Sequence, residues 1–252
     1  MTEGEWLACD DLVALPEFIW QSATDRQVQL VAVACCRRIW HLLGASSRAA
    51  VDAAERFADG KATVEELFDA RDDAREALDL GYRTLAPGIR KHVHTAHLRA
   101  AWDTAALCVS AASREAEGRA EVNRRDLVLI AHWAGTAIAH AAFLARRKQM
   151  RDGSWEDVVR GEAGAQASLL RDVFGNPFRP VVVDPVWLAW NDGTVVKMAR
   201  VIYEEKQFDD VPLLADALEE AGCADDEVLS HCHGPGPHVR GCWVVDAILG
   251  KG

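Results

Sequence analysis

No uninterrupted apolar run in the chain approaches the roughly 18 residues that a membrane-spanning helix needs, so no segment reads as a membrane span. The opening Met1-Thr2-Glu3-Gly4-Glu5-Trp6 is acidic and lacks the basic region of a secretory leader. No C-x-x-C pair occurs among the seven cysteines, which excludes a thioredoxin-like redox motif. Their number is odd and their spacing irregular, so free thiols in a reducing cytoplasm are expected rather than a disulfide framework. A glycine-rich dinucleotide loop, a P-loop and a G-x-S-x-G elbow are all missing. Active sites can still be assembled from distant residues. Strand-like alternation, an Asn-Gly hairpin and internal repeats are also missing.

What is present is an ordinary globular composition. Of 252 residues, 50% are apolar and 27% charged, enough apolar content to offset the entropy of ordering and to exclude a disordered chain. The length suits one large domain or two smaller ones. Net charge is −11, and the stretch 204–227, with ten acids and Lys206 as its one base, carries −9 of it. Such a strip repels phosphate backbones, so nucleic acid is a poor partner. The strip is either a solvated helix face or a docking surface for a basic protein partner, with Glu204, Glu205, Asp209 and Asp210 as its leading residues. The nine tryptophans fall mostly on apolar faces and read as packing.

Helical spacing and capping signals run through nearly every segment, which predicts an all-α fold: a helical bundle with a small C-terminal unit of short helices. Asp10 or Asp11 caps a short helix around Pro16. Ser22 or Thr24 starts a helix to about Leu43, and Ser46 or Ser47 starts another to Ala58. Thr63-Val64-Glu65-Glu66 is a capping box for the next. Two long helices, from Pro87 to about Ala116 and from Arg124 to Met150, form an antiparallel hairpin. A helix over 154–174 completes a body spanning 1–174. Prolines and Gly175 make 175–193 an extended connector, on which Trp187 and Trp190 are candidate exposed anchors. Residues 194–252 form the small acidic unit, with helices from Thr194 to Gln207, from Asp209 or Asp210 to Glu220, from Ala224 to Cys232 and from Val239 to Leu249.

Several segments carry a resemblance. Glu5-Trp6-Leu7-Ala8-Cys9 (EWLAC) is followed by Asp25-Arg26 and by Ala32-Val33-Ala34-Cys35-Cys36-Arg37-Arg38-Ile39-Trp40 (AVACCRRIW). Toward the other end come LLRDVFGNPFRP, from Leu169 to Pro180, and GPGPHVRGCW, from Gly234 to Trp243. Together these resemble an uncharacterised planctomycete protein family. The likeness covers roughly the first 70 and last 90 residues and leaves out 88–150, which here has ordinary composition and five histidines. It implies a bacterial cytoplasmic origin and no particular chemistry.

Two groups of residues can carry chemistry. Cys223, His231, Cys232, His233, His238 and Cys242 fall within twenty residues. Thiolate and imidazole are natural zinc ligands, and Gly234-Pro235-Gly236-Pro237 turns the chain so that His238 or Cys242 can face His231 or Cys232. The spacing matches no standard finger, and capping at a helix end plus core packing accounts for the same residues. If a metal binds, the expected ligands are Cys232, His238 and one of His231 or Cys223, with His233 pointing away. The second group is His92, His94, His97, His132 and His140 on the hairpin. No E-x-x-H or H-E-x-x-H accompanies them, so a wet helix face explains them more simply. Cys35-Cys36-Arg37-Arg38 places thiols beside cations, although position 35 continues an apolar stripe. The reading is thus of a non-catalytic interaction or scaffold protein, with a metal- or thiol-dependent enzyme as the alternative. The oligomeric state is open.

Overall fold

The computed structural model describes residues 1–19, 22–84 and 155–251. The expected long hairpin, its five histidines and the body of 88–150 lie outside the described residues. Within them the chain is all α-helical, with no strand and no helix long and apolar enough to cross a membrane. The helices are α1 (Glu3–Ala8), α2 (Ala14–Ile19), α3 (Asp25–Arg38), α4 (Ala45–Ala58), α5 (Val64–Thr84), α6 (Trp155–Phe174), α7 (Pro185–Glu204), α8 (Val211–Glu220), α9 (Asp226–Cys232) and α10 (Trp243–Leu249). Two compact units divide them: Asp10–Ala167, and Met1–Cys9 together with Ser168–Gly252. The division thus falls at 167–168, short of the expected 174, and the chain's first residues belong with its last.

In the unit of Asp10–Ala167, local signals set the helix starts. Thr24 and Gln27 form a capping box on α3, with the Gln27 amide donating to Thr24 Oγ1 at 3.3 Å and the Thr24 amide to Gln27 Oε1 at 3.0 Å. Thr63 and Glu66 do the same for α5, at 3.2 and 2.8 Å. Val28, Val31, Cys35 and Ile39 recur at helical spacing and are all buried. Cys36 is buried beside them, so neither thiol meets solvent. The neighbouring cations face carboxylates instead. Arg37 pairs with Asp52 and Glu55, and Arg38 forks onto Glu162 at 2.8 and 2.7 Å.

The other unit is built around α7–α10. Val195, Ile202, Tyr203, Leu214, Leu218, Val228, Val245 and Ile248 form its core. On α1, a capping box of Thr2 and Glu5 starts the helix, and its one buried side chain is Trp6. Arg171 of α6 donates to the Trp6 carbonyl at 3.1 and 2.7 Å, and Asn176 donates to Glu3 at 2.9 Å. The expected connector is non-helical through Asp184 and again over 190–193, with a short helical stretch between. There Asp184 caps Val186 at 2.8 Å and Pro185 occupies the first turn, a strong helix start. The helix breaks at Trp190, passes through Asn191, Asp192 and Gly193 at φ +46°, +56° and +77°, and resumes at Thr194. Trp187, on the first short stretch of this helix, and Trp190, at its break, are half-buried and pack against the core rather than standing out as exposed anchors.

Candidate metal centre

Four side chains converge where α6, the end of α9 and the loop into α10 meet. Asp172 lies on the buried face of α6, one turn after Leu169 and beside Val173. His231 is in the last turn of α9. His238 follows the Gly-Pro-Gly-Pro turn, and Cys242 is the N-cap residue of α10. The turn depends on Gly236 at φ +68°, where a Cβ would stand 2.9 Å from the His238 amide nitrogen. One ligand atom from each of Asp172, His231, His238 and Cys242 lies within 4.8 Å of the other three. Asp172 Oδ1 is 2.7 Å from His238 Nδ1 and 3.2 Å from His231 Nε2. Cys242 Sγ is 3.2 Å from that same His231 Nε2 and 4.0 Å from His238 Nδ1. Around a tetrahedral zinc, ligand atoms stand roughly 3.3–3.6 Å apart, given bonds of about 2.0–2.3 Å.

The site is closed. Cys242 is fully buried, and the side chains of Asp172, His238 and His231 are 3%, 6% and 18% exposed. The other carboxylate oxygen of Asp172 accepts from the Val239 amide at 2.9 Å, which leaves Oδ1 for the centre. His238 Nε2 is buried without a protein partner, so the ring is oriented through Nδ1 alone. Trp243 lies 5.1 Å from the His231 ring, and Gly175 at φ +67° makes room for it: a Cβ there would meet the indole at 3.1–3.3 Å.

Burial pushes the Asp172 carboxyl up, but hydrogen bonds from His231 and His238 and their charge outweigh it and hold the group below its usual value. Burial, reinforced by the Asp172 charge, pushes the Cys242 thiol well above its ordinary value. A buried neutral thiol is a poor nucleophile. The relay of a Cys–His–Asp triad uses both ring nitrogens, one toward the thiol and one toward the carboxylate. Here Asp172 and Cys242 meet the same nitrogen of His231, which is the geometry of ligands around one centre.

Of the expected ligands, the structure brings His231 and His238 together and leaves Cys223 and Cys232 out of the group. Adjacent residues on a helix point about 100° apart, and with His231 turned to the group, Cys232 is directed away from it. Cys232 turns into the core, where burial and then the Asp172 charge push its thiol up to about 12. Cys223 is buried beside α8 and its thiol is likewise raised by burial. His233 faces outward to Glu219 at 3.3 Å, as expected. Asp172 was not anticipated. Its signal was an acid at the Leu169 and Val173 face of an apolar helix stripe, where a lone charge needs a partner. No protein-family model, no curated protein and no solved structure matches this chain.

Proposed function

We propose that Asp172, His231, His238 and Cys242 bind one divalent transition metal, zinc by preference, and that the ion fastens a non-catalytic helical interaction or scaffold protein. The carrying observation is the single His231 nitrogen that faces both Asp172 and Cys242. Charge supports it. A carboxylate, a thiolate and two neutral imidazoles sum to two negative charges, which a divalent cation neutralises, so the buried assembly carries no net charge. The mixed oxygen, nitrogen and sulfur set suits tetrahedral zinc. Four protein ligands and near-complete burial leave no open position for substrate, which favours a structural ion over a catalytic one. No disulfide joins any of the described cysteines, which suits a reducing cytoplasm.

Metal analysis of the intact protein, purified without chelator, tests this. One equivalent of zinc is expected, and Asp172→Ala and His238→Ala should each lose it while Cys232→Ala retains it. Absence of metal from the wild type even after incubation with zinc would refute the reading.

A further inference from the structure

The second half of α7 and the start of α8 enclose an open groove of about 240 Å³. Met198, Val201, Ile202 and Leu213 give it an apolar lining, and Lys197 and Asp210 complete its edges. Ile202 belongs to the core, but Val201 and Leu213 are 51% and 54% exposed, which leaves two large apolar side chains as lips over an apolar floor. Their helical neighbours are acids. Glu204 and Glu205 lie three and four residues after Val201, and Asp216 lies three after Leu213, each pair sharing a face. Asp209 stands beside Asp210 at the same end and is exposed.

Two of these charges, Glu204 and Glu205, oppose the helix that carries them. A helix C-terminus is the negative end of the macrodipole and favours cations. Yet α7 ends in Glu204 and Glu205, with no base in its last turn. Exposed Glu205 places negative charge at the negative end of α7, where a cation on a partner would be favoured. We infer that this groove seats a basic amphipathic helix of another protein, with apolar side chains one turn apart entering between Val201 and Leu213 and flanking Lys or Arg residues meeting the acidic rim. The inference stands independently of the metal centre.

Fluorescence anisotropy on the full chain tests it. Three labelled peptides of about 14 residues serve as probes: a Leu/Lys helix with leucines on one face, the same leucines with Glu for Lys, and a Leu/Lys scramble without a face. The first should bind, more weakly in high salt, and the other two should not. Val201→Asp with Leu213→Asp should weaken binding by at least about tenfold although it adds negative charge, and both positions are exposed enough for the fold to persist, as circular dichroism will show. Glu205→Lys with Asp209→Lys should weaken it comparably. Equal binding of the scramble, or tighter binding by the Asp variants, would mean bulk electrostatics only and overturn the inference. So would self-association in sedimentation that Leu213→Asp abolishes, since a second copy would then occupy the groove.

Discussion

Asp172 is the residue on which the proposed centre turns, because it is the one member of the four-residue group on α6 while the other three fall between 231 and 242. Asp172→Asn keeps the shape and removes the charge. Metal affinity should fall at least as far as the roughly 10–100-fold that loss of an outer-shell partner costs, as read by competition with a chromophoric chelator. The metal-free protein has its own pH signature. The folded-state value of Asp172 lies below its unfolded one, so its contribution is present above about pH 4 and is lost as pH falls through the folded value. Cys242 runs the other way. Its folded-state value is raised, so its contribution is present below about pH 9 and is lost as pH rises through the folded value. Chelated protein should therefore lose stability on the alkaline side in urea titrations, and Cys242→Ala should remove that part of the decline. Gly175 is a second sensitive position. Gly175→Ala forces a strained φ and pushes the Trp243 ring off its seat beside His231, at an expected cost of about 1–3 kcal/mol, with a change in tryptophan emission as the accompanying sign.

The helices show what was legible in the sequence and what was not. Starts with a side-chain acceptor at the right spacing were legible: Thr24 with Gln27 and Thr63 with Glu66 appear where the pattern puts them. Thr2 with Glu5 carries the same signal on α1, where too few residues follow for an apolar period to show. The first turn of α7 was hidden because Pro185 and the prolines before it read as breakers, whereas a proline after a capping Asp starts a helix. The last helix was extended four residues too far, to Val239, because its apolar spacing continues while Gly241 at φ +99° breaks it. The centre was half legible for a related reason. His231 and His238 are linked by a turn written in Gly and Pro, but the link to Asp172 is tertiary and leaves only the trace of an acid on an apolar face. At this scale the acidic helix ends make a further prediction. Glu205→Lys and Glu220→Lys should each stabilise the free protein by about 0.3–1 kcal/mol at low salt, seen as a higher melting temperature, an effect that salt should diminish.

In the whole molecule, the four proposed ligands all belong to the unit of Met1–Cys9 and Ser168–Gly252, and none belongs to Asp10–Ala167. Metal removal should therefore act on one unit. In calorimetry of the full chain, chelation should lower the transition of the unit that holds the ligands and leave the other where it was. Excess zinc should raise the lowered transition again with a concentration dependence set by the binding constant. The measurement that bears most directly on the central claim is X-ray absorption at the zinc edge of the loaded protein. Three nitrogen or oxygen neighbours at about 2.0–2.1 Å and one sulfur at about 2.3 Å would be the Asp172, His231, His238 and Cys242 set. A first shell with two sulfurs, with none, or with six light atoms would contradict it.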